Sequence, residues 1–252
     1  MICSERDADT MMVDLSKIKA VAMDLDGTIT QHKEPLTEKN REALVALSEK
    51  YRLVIVGAGQ VMRIFNQIGH FPIDIIGNYG LQYGTCSVES GAMEIKRDLS
   101  FQCDRESVDR RITDLRQRFG LTIFRGDSVE YHPSGCITFP LLGTKALQTD
   151  KLAYDPDRKK RRAIYQTVCD AFPEYNVFIG GSSSFDMSPI PYNKYYALLS
   201  FCAMFNLRRE SVVYIGDDYG LGGNDESVYL SNFPFLTIDN YRDFPEVVKC
   251  LL

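Results

Sequence analysis

The sequence predicts an α/β protein whose parallel sheet core is interrupted by an inserted α/β cap, built of an antiparallel sheet plus helices. Short apolar runs alternate with helical segments near the start of the chain and again near its end, which is typical of a parallel sheet covered on both faces. Between these two regions, short strand candidates are joined by tight turns and accompanied by two helices. We expect the core at residues 16–84 and 185–252 and the cap at residues 85–184.

The first half of the core begins with the apolar run Ile18–Asp24, which is predicted to be a strand. Thr37 is a candidate helix N-cap, because the apolar residues that follow it recur at helical spacing. Further strands are predicted at Leu53–Val56 and Ile73–Ile76, with a helix at Gln60–Ile68 between them. Strands that alternate with helices in this order favour parallel pairing.

The cap is predicted from a hairpin at Leu81–Ile95, a charged amphipathic helix at Arg105–Phe119 and several short strands. The chain after the cap repeats the pattern of the first core segment. The other predicted cap elements are strands Leu121–Phe124, Val129–His132, Cys136–Phe139 and Tyr175–Ile179 and a helix at Asp157–Ala171. The remaining core elements are predicted as helix Lys194–Phe205, strand Val212–Ile215, helix Glu226–Leu230, strand Phe235–Ile238 and helix Phe244–Leu251.

Composition and charge exclude several classes of protein. The 252 residues include 29 Lys and Arg against 34 Asp and Glu, a net charge of −5, whereas a general nucleic-acid binder is expected to be basic. We interpret the basic run Arg158–Arg162 as a solvated helix face. No charge-free stretch reaches the roughly 18 to 20 apolar residues of a membrane helix. We therefore expect neither nucleic acid nor membrane among the partners.

The cysteines and the N-terminus indicate the compartment. There are seven cysteines, an odd number, and no two of them are spaced as C-x-x-C. The first ten residues, MICSERDADT, have no basic start followed by an apolar run, so no secretory signal is predicted. Scattered thiols of this kind indicate a reduced, cytoplasmic chain.

Acidic residues follow two of the predicted core strands. Asp24-Leu25-Asp26-Gly27-Thr28 comes directly after the first strand, and Gly216-Asp217-Asp218 follows Val212–Ile215. Ligands of open α/β sheets bind beyond the carboxyl ends of the strands, where two carboxylates can divide nucleophilic and proton-transfer roles. Oxygen ligands of this kind favour Mg²⁺. Lys194 opens a predicted helix and could neutralise a phosphate. Taken singly, an Asp-Gly turn and a solvated lysine remain the structural alternatives.

Three segments together resemble a known superfamily. DLDGT at residues 24–28, GGSSSFDMSPIPYNK at Gly180–Lys194 and GDDYGLGGND at Gly216–Asp225 are similar to motifs of the haloacid dehalogenase (HAD) superfamily of phosphotransferases. Their order resembles that of the branch of type IIB capped enzymes that holds eukaryotic-type phosphomannomutases and Cof-type sugar phosphatases. The resemblance covers residues 18–252 and implies a HAD-like Rossmannoid core with a cap that sets substrate specificity.

The resemblance implies a role for each motif residue. Asp24 would be the nucleophile that becomes a phosphoaspartate, and Asp26 would be the general acid and then the general base. Lys194 would balance the charge of the phosphate and of Asp24. A transition state rich in negative charge beside carboxylates requires such cations. The implied Mg²⁺ ligands are Asp24, the Asp26 backbone carbonyl and Asp217, and the implied outer phosphate and metal shell contains Asn224 and Asp225.

The chain departs from the family at two places. The family's phosphate-binding Ser or Thr after the second strand is replaced by Gly57-Ala58-Gly59. Either the N–H groups of this turn bind the phosphate, or phosphate binding is weaker than usual. In the cap, two arginines of the mutases, which hold a distal phosphate, are replaced by His132 and Thr144. Arg125 and Lys145 are nearby and could substitute, but they are not in register with those arginines. His132 and Asp186, which matches a sugar-contacting aspartate, are the candidate substrate residues of the cap.

These observations predict a Mg²⁺-dependent phosphoric monoester hydrolase that acts on small phosphorylated metabolites, sugar phosphates first. One alternative is a phosphomannomutase-type phosphohexomutase that uses the same phosphoaspartate chemistry. Another is a catalytically silent HAD-fold binding protein, because the hydroxyl of the second motif is missing. The resemblance also implies a homodimer through the cap. We expect Asp24, Asp26, Lys194 and Asp217 to converge on the core side of the site.

Overall fold

The computed structural model describes residues 14–87 and 89–252, and the chain divides into two compact units. The first unit contains the chain up to Asp98 together with Lys194–Tyr219 and Asp225–Leu252, and the second contains Leu99–Asn193 and Gly220–Asn224. The boundaries proposed from the sequence, near residues 84 and 184, differ from these. Cys3 and the N-terminal segment, for which no secretory signal is predicted, lie outside the described residues.

The secondary structure contains eleven strands among the described residues. These are β1 (Ala20–Met23), β2 (Arg52–Val56), β3 (Asp74–Gly77), β4 (Gln82–Cys86), β5 (Met93–Asp98), β6 (Glu130–Tyr131), β7 (Ile137–Pro140), β8 (Tyr175–Phe178), β9 (Ser184–Pro189), β10 (Val212–Gly216) and β11 (Phe235–Thr237). The α-helices are α1 (Glu38–Ser48), α2 (Val61–Gln67), α3 (Arg105–Arg118), α4 (Gln148–Tyr154), α5 (Lys159–Ala171), α6 (Lys194–Met204), α7 (Glu226–Tyr229) and α8 (Phe244–Val248). Within the described part of the chain, none of the helices is long and apolar enough to cross a bilayer.

The first unit is built on a seven-stranded sheet in the order β11-β10-β1-β2-β3-β4-β5. The strands from β11 to β3 pair in parallel, and the β4–β5 hairpin adds two antiparallel strands at one edge. Every residue of β1, β3 and β10 is buried, as expected for a sheet covered on both faces. The predicted parallel core is therefore confirmed. The hairpin, predicted as part of the cap, pairs with the core sheet instead.

Alternate residues of the central strands pack into two apolar clusters on opposite faces of this sheet. Val21 and Met23 of β1 belong to a cluster that also contains apolar residues of α1, α2 and α8. Ala20 and Ala22 belong to the other cluster, with residues of α6 and α7. Thr37 caps α1 as predicted, because its hydroxyl accepts from the Asn40 N–H at 3.3 Å.

The second unit contains a four-stranded antiparallel sheet in the order β6-β7-β9-β8. An antiparallel sheet was predicted for this part of the chain. Apolar residues of α3 and α5 pack with the sheet in one cluster. Strand β9 and helix α4 were not predicted. The predicted strand Leu121–Phe124 is wrong. Both backbone groups of Leu121 bond to Arg116, its N–H to the backbone carbonyl and its C=O to the guanidinium, so this segment returns onto α3.

The basic run Arg158–Arg162 is only partly a solvated face. Lys159 pairs with Asp157 at the surface, but the side chain of Arg161 is 1% exposed. Its guanidinium lies 2.9 Å from Asp155 and donates to the carbonyl oxygen of Gly180 at 2.8 Å. The interpretation as a solvated face is therefore wrong for Arg161, which holds α5 to the loop before β9.

Candidate active site

Two of the predicted carboxylates lie at the same edge of the core sheet. Asp24 directly follows β1 and Asp217 directly follows β10, and these strands are neighbours with Met23 opposite Ile215. The Thr28 hydroxyl donates to Asp217 Oδ1 at 2.8 Å. Gly27 has a φ of +105°, and a Cβ built on it would lie 2.4 Å from Asp217 Oδ2. Glycine is thus required here by backbone conformation and by space.

Lys194 is the first residue of α6 and is fully buried. Its Nζ lies 2.7 Å from Asp24 Oδ1 and 2.7 Å from Asp225 Oδ1. Burial lowers the pKa of Lys194, but Asp225 and Asp24 outweigh it and leave the pKa raised. The surface-lysine alternative is therefore excluded, and Lys194 is a buried cation between two carboxylates.

Asp225 is held by more groups than its predicted outer-shell position suggested. It is fully buried; Oδ1 accepts from Lys194 and from the Tyr214 hydroxyl at 2.5 Å, and Oδ2 accepts from the Asp218 N–H at 3.0 Å. Sequence analysis missed Tyr214, because it lies inside the apolar strand β10. The only sequence signal for it was a hydroxyl-bearing residue on an otherwise aliphatic strand.

Three carboxylates meet in this cluster. Ligand atoms of Asp24, Asp217 and Asp225 all lie within 4.8 Å of one another. Burial raises the pKa of Asp24 well above 3.8, and Asp225 and Asp217 raise it further against the opposing effect of Lys194. Burial, together with Asp225, raises the pKa of Asp217 to about 6. One lysine does not balance three carboxylates, and hard oxygen donors with excess negative charge fit a divalent cation.

Asp26 lies on the α2 side of the same motif. Its Oδ1 accepts from Gln67 Nε2 at 2.7 Å and from the Lys33 N–H at 2.8 Å, and its Oδ2 lies 3.4 Å from Arg63 Nη2. Burial raises the pKa of Asp26, but the hydrogen bonds from Gln67 and Lys33 outweigh it and leave the pKa lowered. Sequence analysis did not identify Arg63 or Gln67, since nothing in the helix pattern of α2 indicates which residues face Asp26.

The glycine turn after β2 continues the pairing of the core sheet by one residue. The Gly57 N–H donates to the Ile76 carbonyl oxygen at 2.9 Å, because the β2–β3 ladder continues through this residue. The Gly57 N–H is therefore engaged within the sheet, and the place of Gly57, Ala58 and Gly59 in the phosphate shell stays a prediction. Asn224 lies in the segment that groups with the second unit, so its role in the phosphate shell also stays a prediction.

The second unit brings both predicted cap residues into one hydrogen-bonded chain. Thr138 lies opposite Asp186 on neighbouring strands β7 and β9, and its hydroxyl donates to Asp186 Oδ1 at 2.9 Å. His132 Nε2 lies 3.1 Å from the same hydroxyl. Since the Thr138 proton is given to Asp186, His132 donates through Nε2. Thr138 was not predicted, because only the strand register places it between the other two.

The sequence was compared with protein families and with curated proteins. The family described as eukaryotic phosphomannomutase matches residues 40–240. Phosphomannomutase 1 of Dictyostelium discoideum is 25% identical over 222 residues, which cover 85% of this chain and 87% of the relative. The phosphomannomutase of Spinacia oleracea is 24% identical over 217 residues, covering 82% of this chain and 85% of the relative.

Solved structures share the fold at lower identity. An IMP-bound, N-terminally truncated IMP-nucleotidase of Plasmodium falciparum has a TM-score of 0.72 at 12% identity, over 94% of this chain and 71% of that one. A HAD-superfamily phosphatase of Bacteroides thetaiotaomicron has a TM-score of 0.59 at 14% identity, over 93% and 95% of the two chains. With the family match and the clustered acidic motifs, these findings show that the chain belongs to the eukaryotic phosphomannomutase family of the HAD superfamily and is a phosphotransferase-class enzyme.

Proposed function

We propose that the protein is a Mg²⁺-dependent phosphatase of small phosphorylated metabolites, with sugar phosphates as the first candidates. The observation that carries the proposal is a complete nucleophile and cation arrangement in the first unit, where Lys194 joins Asp24 to Asp225. In contrast, the two cap positions at which mutases carry arginine hold His132 and Thr144. Arg125 and Lys145 are near these positions in the sequence but are not in register with the mutase arginines. These observations support chemistry on a single phosphate rather than binding of a bisphosphate.

In the proposed reaction, a carboxylate oxygen of Asp24 attacks phosphorus while the bond from phosphorus to the substrate oxygen breaks. The electron pair goes to the leaving oxygen, which takes a proton from Asp26. Water then attacks the phosphoaspartate; Asp26 accepts the proton of the water, and Asp24 leaves as a carboxylate. Lys194 holds Asp24 in place and keeps a positive charge beside it through both steps.

Asp26 is suited to exchange a proton because its hydrogen-bond partners orient the carboxylate and leave it able to bind a proton. Gln67 and the Lys33 N–H orient the carboxylate. These hydrogen bonds leave the pKa of Asp26 lowered in the free protein. A phosphate anion close to Asp26 raises that pKa again, because a like charge disfavours the ionised form. The substrate therefore helps Asp26 to carry the proton it must donate.

The residues present fit the metal that the family implies. Asp24 and Asp217 would supply carboxylate oxygens to Mg²⁺, and the Asp26 backbone carbonyl is the third ligand proposed from the motif. Both oxygens of Asp225 accept hydrogen bonds, which supports a positioning role for it. When bound, Mg²⁺ neutralises charge on the phosphate and on the carboxylates. The raised pKa values of Asp24 and Asp217 support the need for such a cation.

Two buried arginines of the second unit are already used by the structure, which supports hydrolysis rather than mutase activity. A mutase must hold a second phosphate in two orientations, which needs cations at fixed positions. Arg116 and Arg161 are buried and donate to backbone carbonyl oxygens of their own unit. The Thr144 hydroxyl is bonded to the N–H and the carboxylate of Asp127. His132 and Asp186 are retained as candidate contacts for sugar hydroxyls.

The second candidate function is a phosphohexomutase, which the family match over residues 40–240 favours. Both activities share the Asp24 chemistry and differ in what accepts the phosphoryl group: water in a phosphatase, a sugar hydroxyl in a mutase. Incubation with mannose 1-phosphate and Mg²⁺ distinguishes them. We expect phosphate and free mannose, with or without a hexose bisphosphate. Mannose 6-phosphate that forms only with the bisphosphate would establish the mutase.

A protein that binds Mg²⁺ but turns over no ester of a broad panel would be the silent binding protein.

The proposal includes a homodimer through the second unit and a reducing compartment. The resemblance to the family suggests the dimer. The cysteines suggest the reducing compartment, since each of the six described cysteines is a free thiol. Light scattering of the full chain and of a variant with charges placed on the second unit would test the dimer. We expect twice the chain mass for the full chain, and a monomer in solution would contradict the assignment.

A further inference from the structure

The turn after β2 lies at the functional edge of the core sheet. Strands β1 and β2 are parallel neighbours with Met23 opposite Ile55, so residues 57–60 follow β2 at the level where Asp24 to Asp26 follow β1. In the family this turn offers a hydroxyl to the phosphate, and here it carries glycine and alanine. A phosphate held at Asp24 would therefore lack a side-chain donor from this turn.

A guanidinium group fills the space above this turn. A Cβ built on Gly59 would lie 2.3 Å from both Nε and Nη2 of Arg63 and 2.6 Å from its Cζ. Arg63 lies in the first turn of α2, and its side chain reaches back over Gly59, which precedes the helix N-cap Gln60. A side chain at position 59 would displace the guanidinium, so this place of Arg63 requires glycine there.

The guanidinium is oriented but keeps donors available. Nη1 donates to Gln67 Oε1 at 2.8 Å, and Nη2 lies 3.4 Å from Asp26 Oδ2. A guanidinium has five N–H donors, which is more than these two partners among the described residues use. The side chain is 40% exposed, whereas Gln67 and the Lys33 N–H already bind Asp26 more closely. Asp26 is thus already oriented by closer hydrogen bonds, and the guanidinium of Arg63 keeps donors for a further partner.

We propose that Arg63 is the phosphate ligand that replaces the missing hydroxyl of the second motif, and that Gly59 is required to make room for it. The inference rests on the proposed phosphoryl-transfer function. Arg63 donates charge-assisted hydrogen bonds to oxygens of the phosphate that Asp24 attacks. A planar guanidinium can give two parallel bonds where a hydroxyl gives one, so phosphate binding is supported without the family's Ser or Thr.

Binding of inorganic phosphate to the full chain in the presence of Mg²⁺, measured by calorimetry, tests the inference. We expect Arg63→Ala to weaken binding by about 10- to 100-fold, the range for charge-assisted hydrogen bonds. Gly59→Ser should weaken it similarly, because its Cβ displaces the guanidinium. The double variant should lose less than the two single losses combined, since the serine hydroxyl then occupies the vacated place. Arg208→Ala is the matched control, because Arg208 is an exposed arginine 3.3 Å from Glu210, and should bind as wild type.

Two further measurements keep the test decisive. If Arg63→Ala does not fold, Arg63→Gln gives the same comparison, since it keeps a side chain over Gly59. A role limited to holding Asp26 would lower kcat and leave phosphate affinity within twofold of wild type, which would overturn the inference while the proposed function stands. Fully additive losses would overturn the link between Gly59 and Arg63. A wild-type protein that neither binds phosphate nor releases it from any ester would overturn both proposals.

Discussion

Both units bury charged side chains, and they treat them in opposite ways. In the second unit, Arg161 and Asp155 form one pair, 1% and 0% exposed, and Arg161 also donates to backbone carbonyl oxygens. Burial raises the pKa of Asp155, but hydrogen bonds from Arg161 and from two backbone N–H groups outweigh it and leave the pKa lowered. This buried pair is electrically balanced and internally satisfied.

In the first unit, one buried lysine serves a cluster of three carboxylates. Here burial and mutual repulsion leave the pKa values of Asp24 and Asp217 raised. Balanced buried charge is a structural device, whereas an unbalanced cluster needs something from outside the chain. The comparison therefore teaches that the imbalance of charge, and not its burial, distinguishes the candidate site from the scaffold.

The largest effect is expected from Asp24→Asn. The amide cannot act as the nucleophile, so phosphate release should fall by about 10⁴-fold or more. The fold should persist, since the change removes charge from a cluster with excess negative charge. Phosphate release and thermal melting of the purified variant measure this. Asp243→Asn, at an exposed aspartate of the same unit, is the control and should match wild type. Activity retained by Asp24→Asn would contradict the nucleophile assignment.

Arg161→Met should cause the largest loss of stability. It removes one partner of a buried pair and leaves Asp155 as an uncompensated buried charge, which typically costs about 3 to 5 kcal/mol in the free energy of unfolding. Urea unfolding measures the loss. The neighbouring residue Arg162 is exposed, so Arg162→Met should change stability by less than about 0.5 kcal/mol. Equal losses in the two variants would show that the buried Arg161–Asp155 pair does not contribute more to stability than a surface arginine.

The metal-free protein should become less stable as pH rises. The pKa of Asp217 is raised from 3.8 to about 6 in the folded protein, so the folded state binds this proton more tightly than the unfolded state. That contribution is fully present below pH 3.8 and is lost as pH rises through about 6. We expect a loss of about 1 to 3 kcal/mol from this group.

Urea unfolding at pH 4.5 and pH 7.5 in EDTA measures this pH dependence. Asp217→Asn cannot titrate at this position and should lose less stability between the two pH values than wild type. Saturating Mg²⁺ at pH 7.5 should stabilise wild type, by about 2.7 kcal/mol at 100 times its Kd, and should stabilise Asp217→Asn much less. Identical pH profiles for the two proteins would exclude Asp217 as the titrating group.

The smallest expected effect is that of Tyr214→Phe. It removes the hydroxyl that donates to Asp225 at 2.5 Å, while Lys194 and the Asp218 N–H still hold the carboxylate. We expect a loss of about 1 to 2 kcal/mol in the free energy of unfolding and a fall of several-fold in kcat. Tyr241→Phe removes an exposed hydroxyl contact with Gln31 and serves as the control. A Tyr214→Phe protein as stable as the control would show that Asp225 does not need this donor.

The positions of the acidic residues could be predicted from the sequence because they depend on a local rule. Apolar strands end at polar residues, and the carboxyl ends of neighbouring parallel strands share one edge. Asp24 and Asp217 were found this way, and the helix that begins at Lys194 was found from its apolar pattern. Each of these inferences needs only a short window of the chain.

What could not be predicted depends on contacts between residues far apart in the chain. Arg161 lies in a run of five basic residues that looks solvated, and only its contacts with Asp155 and the loop before β9 show that it is buried. Leu121–Phe124 has the composition of a strand but is bound by Arg116. The place of Arg63 over Gly59 requires the actual course of the turn. Side-chain direction, rather than secondary structure, limited the prediction.

The junction between Asn193 and Lys194 has a consequence for how this protein can evolve. The chain re-enters the first unit at the residue that carries the buried cation. The register of that single lysine therefore limits which changes of length the preceding segment Leu99–Asn193 can accept. A one-codon insertion or deletion just after the junction would shift every residue of α6 by about 100° around its axis. Natural variation in insert length should therefore accumulate upstream of Lys194 and stop abruptly there.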